Sequence, residues 1–155
     1  MTEIIVGKAA QAFSMIGAGG EKIASSALKG SAYVLYFYPK ADTTGCTKEA
    51  LGFQETLAAF AKLGVKVIGV SRDPVKALDK FAAKYGLTFS LASDEDGAVC
   101  EKYGVWVEKS MYGRKYMGIE LATFLIRADG KVAAIWRKVK ILGHVDAVLA
   151  TAKGL

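Results

Sequence analysis

A short aromatic and β-branched run, Ala32-Tyr33-Val34-Leu35-Tyr36-Phe37-Tyr38, stops at Pro39 and soon gives way to a helical pattern. No other stretch constrains the fold as strongly. The run has the composition of a buried strand, and Pro39, with no N–H and a fixed φ, ends it. Beyond Cys46, the residues Ala50, Phe53, Leu57 and Ala61 recur at three- and four-residue steps. Lys48, Glu49, Glu55 and Lys62 take the other faces, the pattern of an amphipathic helix. Asp42, Thr43 and Thr44 stand where side chains cap a first turn. The thiol of Cys46 is therefore expected among unpaired N–H groups at the positive end of a helix dipole, which favours the thiolate. Cys46 is the candidate nucleophile.

Further along, Val65-Lys66-Val67-Ile68-Gly69-Val70-Ser71 reads as a second buried strand. Asp73 then suits a cap and Pro74 the first helical position, with Ala77, Leu78, Phe81, Ala82 and Tyr85 as the apolar stripe and Gly86 as the stop. Strand, helix, strand, helix with short connections predicts a parallel pair crossed by helices. Residues 12–15 and 21–24 flank Gly17-Ala18-Gly19-Gly20 as an N-terminal hairpin. A short strand over 88–91 and a capped turn of helix over 94–103 follow, and the polar, basic stretch 108–117 reads as a long loop. Residues 121–127 and 131–136 flank Ala128-Asp129-Gly130 as a second hairpin, and Gly143 precedes a last helix over 145–152. The sum is an α/β, thioredoxin-like fold with an N-terminal β-hairpin and a mixed central sheet flanked by helices. With 155 residues and no linker or repeat, residues 1–155 are expected to form a single domain.

No apolar stretch reaches the length of a membrane span, so no membrane partner is expected. Met1-Thr2-Glu3-Ile4-Ile5-Val6-Gly7-Lys8 lacks the basic and long apolar regions of a signal peptide, which makes cytoplasmic residence the expectation. Two cysteines without C-x-x-C spacing fit a reducing compartment. The net charge of +6 collects in residues 109–140, where Lys109, Arg114, Lys115, Arg127, Lys131, Arg137, Lys138 and Lys140 face only Glu120 and Asp129. Without a helix-turn-helix, zinc-ligand or RNP pattern this reads as a solvated basic edge, and no nucleic-acid partner is expected. Cys46, Cys100 and His144 have no metal-ligand spacing, so neither a metal nor another cofactor is expected. His144, among apolar residues at a helix start, suits packing or capping more than the base a cysteine hydrolase needs. Cys100, on the apolar face of a short helix, reads as packing.

Pro39, Thr43 and Cys46, in the order Pro, three residues, Thr, two residues, Cys, resemble the peroxidatic-cysteine loop of the peroxiredoxins. The resemblance runs nearly end to end and is to the bacterioferritin comigratory protein, or peroxiredoxin Q, subgroup. It rests on Tyr36-Phe37-Tyr38-Pro39-Lys40, Gly45-Cys46-Thr47-Lys48-Glu49-Ala50, Ser93-Asp94-Glu95-Asp96-Gly97, Tyr103-Gly104-Val105-Trp106 and Thr123-Phe124-Leu125-Ile126. It implies catalytic roles for Cys46, Thr43 and Pro39, with hydrogen peroxide or small organic hydroperoxides as substrate and thioredoxin or a small thiol as reductant. A monomer or weak homodimer is expected. Four positions depart from the pattern: Thr44 stands where Pro is usual, Leu51 where many members carry a resolving cysteine, Leu121 where the active-site arginine is expected, and Arg127 where Asp is usual.

Lowering a thiol pKa from about 8.5 to about 6 raises its thiolate fraction roughly thirty-fold at neutral pH. The accompanying loss of intrinsic nucleophilicity, roughly ten-fold, removes most of that gain. Fast peroxide reduction therefore also needs fixed donors for the departing oxygen, such as the Cys46 N–H, the Thr43 hydroxyl and, in the family, the arginine. Leu121 cannot donate, Arg127 lies roughly 20 Å along a shared strand, and Leu51 removes the nearby partner for a sulfenic acid. Two readings stay open at this point. One is a one-cysteine thiol peroxidase of reduced activity; the other is a degenerate or deliberately altered thioredoxin-fold protein with at most a redox-sensing thiol.

Overall fold

Alternation along the aromatic run sends Tyr33, Leu35 and Phe37 into one apolar layer and Val34, Tyr36 and Tyr38 into another, so the strand they form divides the core in two. The computed structural model describes residues 3–155; Met1 and Thr2, the start of the stretch read for a signal peptide, lie outside the described residues. The elements are β1 (Ser14–Gly17), β2 (Lys22–Ala24), β3 (Ala32–Phe37), α1 (Thr44–Lys62), β4 (Val65–Ser71), α2 (Val75–Tyr85), β5 (Ser90–Ser93), α3 (Ala98–Lys102), β6 (Trp106–Met111), β7 (Arg114–Ile119), β8 (Ala122–Ile126), β9 (Val132–Trp136) and α4 (His144–Ala152). A seven-stranded mixed sheet runs β2-β1-β5-β4-β3-β8-β9. Strands β3, β4 and β5 are parallel, whereas β1 joins β5, and β8 joins β3, in antiparallel register. Three helices cover one face through Phe53 and Phe60 of α1, Leu78 and Phe81 of α2, and Val145 and Val148 of α4. The short α3 covers the other with Val99 and Cys100, beside Phe13 and Ile119.

The thioredoxin-like architecture, both expected hairpins and the strand at 65–71 stand, while several local details differ. Residues 108–117 are not a loop: β6 and β7 form a separate antiparallel ribbon, from Trp106 opposite Ile119 to Met111 opposite Arg114. Its turn places Tyr112 at φ 52 and Gly113 at φ 78, the left-handed pair that a two-residue hairpin requires. The strand expected at 88–91 lies at Ser90–Ser93, shifted to pair with both β4 and β1. None of Asp42, Thr43 and Thr44 caps α1 with its side chain. Asp73 does not cap α2 either, because its carboxylate accepts from the Ser71 hydroxyl and the Ala41 N–H, both at 2.8 Å. No helix among the described residues is long and apolar enough to cross a membrane.

Glu49 departs most from expectation. Placed by its charge on an outer face of α1, it is fully buried, and neither carboxylate oxygen has a hydrogen-bond partner among the described residues. His144, at the start of α4, bonds through Nε2 to the Thr123 hydroxyl at 2.8 Å and stands 3.9 Å from Glu49 Oε2. That separation is too long for a hydrogen bond. Burial pushes Glu49 up to about 8 and pulls His144 down to about 4. At neutral pH the pair is therefore a contact between two uncharged groups, with no ion-pair attraction. His144 packs, as its sequence context indicates.

The raised carboxyl carries a sign. Between its ordinary 4.5 and about 8 the folded chain binds a proton that the unfolded chain has lost, so the Glu49 contribution falls as pH rises through that window. A Glu49→Gln variant lacks this loss. Its stability relative to the parent should grow by about 1.4 kcal/mol per pH unit across the window and level off above it. Denaturant titrations of both proteins over that range measure the difference, and a pH-independent difference contradicts the burial of Glu49 as an acid.

Candidate active site

Strand β3 delivers the chain to Tyr38, whose N–H donates to the Val70 carbonyl at 3.0 Å, and Pro39 then turns it into an exposed loop. That loop is fastened at several points. The Ala41 N–H is held by Asp73, and Asp42, at φ 61, accepts from Lys84 Nζ at 2.9 Å and from the Tyr85 hydroxyl of α2. The Thr43 hydroxyl donates to the Lys40 carbonyl at 2.8 Å, which is why it does not cap the helix. The first bond of α1 runs from the Thr47 N–H to the Thr43 carbonyl at 2.9 Å. Upstream of it, the N–H groups of Gly45 and Cys46 have no protein acceptor among the described residues.

Cys46 thus sits in the first turn of α1, as expected, but its side chain is 5% exposed. Burial raises its pKa above the ordinary 9.0, against the Lys40 N–H and the Thr43 hydroxyl, which lowers it when it turns from the Lys40 carbonyl to the sulfur. Glu49 raises it further, and Lys109 lowers it. Desolvation thus opposes the thiolate that the helix start favours, and it outweighs the donors. Two more polar groups share this pocket without hydrogen-bond partners, the hydroxyls of Tyr36 and Tyr38. The Tyr36 ring stacks on Phe53 at 4.6 Å and lies so close to its β4 neighbour Gly69 that a Cβ there would meet it at 2.8 Å. Glycine at 69 is what lets the ring lie in the layer beneath Cys46.

Pro39, Thr43 and Cys46 are brought to one end of the sheet, as the sequence pattern expects. Pro39 borders a cleft of about 470 Å³ whose other walls include Arg72, Trp106, Lys109 and Tyr116. Cys100 is not part of the site. It lies in the layer on the opposite face of the sheet, fully buried, with a pKa raised by burial and by Asp94. Both cysteines are free.

Of the four unusual positions, Leu121 and Leu51 pack against the layer that holds Cys46, whereas Arg127 lies away from it. Ala122 pairs with Phe37 at the Cys46 end of β3, so Leu121, just before it, is at that end and packs into the layer that holds Cys46. Arg127 follows Ile126, which pairs with Tyr33 at the far end of β3, and is bound to Asp129 at 2.7 Å. Of the other arginines, Arg72 donates to the Glu95 carbonyl and stacks over Trp106 at 4.4 Å. Arg137 binds Glu120 at 2.8 Å, and Arg114 is exposed beside the ribbon turn. Leu51 is half-buried against the same layer as Cys46. Sequence reasoning missed two residues of this neighbourhood, Glu49 and Lys109, because it assigned both charges to solvent. No group of three or more His, Cys, Asp or Glu side chains among the described residues could hold a metal.

The AhpC/TSA family matches residues 6–135. A putative peroxiredoxin bcp of Coxiella burnetii is 50% identical over 146 residues, covering 94% of this chain and 97% of that protein. The bacterioferritin comigratory protein of Xanthomonas campestris, whose structures with trapped intermediates and ligands address its alkyl peroxide reduction, is 47% identical with a TM-score of 0.87. The alignment covers 92% of this chain and 90% of that one. A Cys-to-Ser mutant of Xylella fastidiosa PrxQ superposes with a TM-score of 0.93 at 37% identity, over 99% and 98% of the two chains. The chain belongs to the AhpC/TSA family and, within it, to the Bcp/PrxQ peroxiredoxins.

Proposed function

We propose that Cys46 is the peroxidatic thiol of a one-cysteine peroxiredoxin with reduced activity, acting on hydrogen peroxide and small organic hydroperoxides. Membership of the family makes the chain a thiol peroxidase. The observation that carries the assignment to Cys46 is its place in the first turn of α1, with unpaired amides beside it and the Pro39 cleft at the mouth of its loop. The thiolate attacks one peroxide oxygen, the O–O bond breaks, and the departing oxygen leaves as water or an alcohol after taking a proton. Cys46 becomes a sulfenic acid, which an external thiol, thioredoxin or a small-molecule reductant, returns to the thiol through a mixed disulfide. Thr43 and Pro39 shape the loop around the sulfur. The alkyl peroxide reduction studied in the Xanthomonas protein supports organic hydroperoxides as substrates, and cytoplasmic residence of a monomer or weak homodimer completes the reading.

Two features support a single working cysteine. Leu51 leaves no thiol one turn along α1, and the central sheet lies between Cys46 and Cys100. A bridge needs Cα atoms within about 7 Å, whereas facing layers across a sheet are separated by more than that. Reduced activity follows from the lost guanidinium, since removing one donor to a developing oxyanion costs on the order of a hundred-fold in rate.

Brief treatment with hydrogen peroxide should add oxygen to Cys46 and leave Cys100 reduced, with the sulfenic acid trapped by a dimedone-type reagent and read by mass spectrometry. Reductant-dependent peroxide consumption should vanish in Cys46→Ser and persist in Cys100→Ser. First oxidation at Cys100, or rapid formation of an intramolecular bridge in dilute protein, contradicts the assignment.

Position 121 gives a second test. A guanidinium there would add a donor at the Cys46 end of β3, so Leu121→Arg should raise the second-order rate of Cys46 with peroxide by about two orders of magnitude. Stopped-flow measurement in a folded variant without any gain would show that position 121 does not face the reacting atoms.

A further inference from the structure

With Leu121 at the arginine position, the site still needs positive charge, and the β6–β7 ribbon brings one to it. Lys109 is opposite Tyr116, in the middle of the ribbon. Its stem lies over Gly118, where a Cβ would meet Lys109 Cδ at 3.3 Å and Cε at 3.5 Å. The absence of a side chain at 118 lets the lysine lie along the ribbon and line the cleft that Pro39 borders. It is half-buried and makes no ion pair or hydrogen bond among the described residues, unlike Lys84, Lys115, Arg127 and Arg137, each of which has a carboxylate partner. Its nearest acidic neighbour in the chain segment that follows, Glu120, is already engaged by Arg137 and by the Lys138 N–H. A partly desolvated cation without an ion-pair partner is free to act on charge that forms in the cleft it lines.

We propose that the Lys109 ammonium supplies the positive charge that Leu121 removes, stabilising the Cys46 thiolate and the charge that develops on the departing oxygen of the peroxide. This rests on Cys46 being the peroxidatic thiol. The charges of Cys46 and Lys109 act on one another: Lys109 lowers the pKa of Cys46, and Cys46, with Glu120, raises that of Lys109 against the lowering caused by burial. The other groups around the sulfur do not supply a cation. Glu49 from α1 and the hydroxyls of Tyr36 in β3 and of Tyr38 just beyond it carry no positive charge, and Arg72, the second cation on the cleft wall, is committed to the Glu95 carbonyl and the Trp106 ring. In the step itself the sulfur–oxygen bond forms as the O–O bond breaks. The electron pair passes to the departing oxygen, and a proton from the ammonium or from solvent completes the alcohol or water. Cys46 is oxidised by two electrons and the peroxide reduced by two.

The test uses the full-length reduced protein and four variants: Lys109→Met, Lys109→Gln, Lys109→Arg and Lys115→Met, the last removing an exposed charge from the same ribbon. Two quantities are read, the Cys46 thiolate titration and the stopped-flow rate of Cys46 oxidation by hydrogen peroxide and by tert-butyl hydroperoxide. The neutral variants should move the titration upward by about one pH unit and slow oxidation about ten-fold at neutral pH. Lys109→Arg should stay within about three-fold of the parent, and Lys115→Met should change neither quantity. In a Leu121→Arg background, where a guanidinium supplies the charge, Lys109→Met should lose most of its effect. Lys109→Gln reads the same quantities if the methionine variant does not fold. A folded neutral variant with unaltered titration and rate overturns the proposal. So does an arginine variant as slow as methionine, or a Lys115→Met effect as large as that at 109. If Cys46 of the parent protein reacts with neither peroxide, the peroxidase reading has failed instead, and the titration still reports on Lys109.

Discussion

The molecule depends on a polar layer placed around Cys46, the candidate nucleophile, and kept from water. Tyr36, Tyr38, Cys46 and Glu49 all pack into the layer between the sheet and α1, and each is almost or wholly buried. Burial disfavours every charged form these groups could take, so it keeps Glu49 protonated and makes thiolate harder to form at Cys46. A cation brought to this layer would work against that burial by favouring the charged forms. Leu121 packs against the layer and leaves the balance unfavourable. The fold gains apolar packing there at no cost of burying charge.

Geometry compensates in part. The loop from Pro39 to Thr43 is fixed from both sides, by Asp73 after β4 and by Lys84 and Tyr85 at the end of α2. These contacts fix the first turn of α1, where the Gly45 and Cys46 amides have no protein acceptor among the described residues. The β6–β7 ribbon closes the other side of the cleft. It pairs with no other strand and presents Met111, Tyr112, Tyr116 and Met117 to solvent, so its structural purpose is met chiefly at Trp106 and Ile119, which pack against the core beneath α3.

Much of this was legible from residue order alone. The β3–α1 junction, β4, the hairpin across Ala128-Asp129-Gly130 and the last helix are each marked by a local period or a glycine. The ribbon was not legible, because both its faces are largely exposed and no burial alternation marks it. Tyr112 also fills a left-handed turn position that Asn or Asp would have signalled. Glu49 was misplaced because charge was taken as a sign of solvent, although it lies three residues past Cys46 and four before Phe53, on the face that both occupy. Lys109 was hidden in the same way, within a run of basic residues most of which are indeed at the surface. The place of Cys46 in the first turn after a strand was legible, whereas the sign of its pKa shift was not, since that depends on desolvation by residues distant in sequence.

The pH dependence of Cys46 alkylation in the reduced protein, followed residue by residue by mass spectrometry, tests the dominance of burial over donors most directly. If burial governs, the midpoint for Cys46 lies at or above the ordinary thiol value of 9.0, and alkylation is still accelerating in mildly alkaline solution. A midpoint below about 7 would contradict it, showing that the helix-start donors and Lys109 outweigh desolvation even without an arginine at position 121.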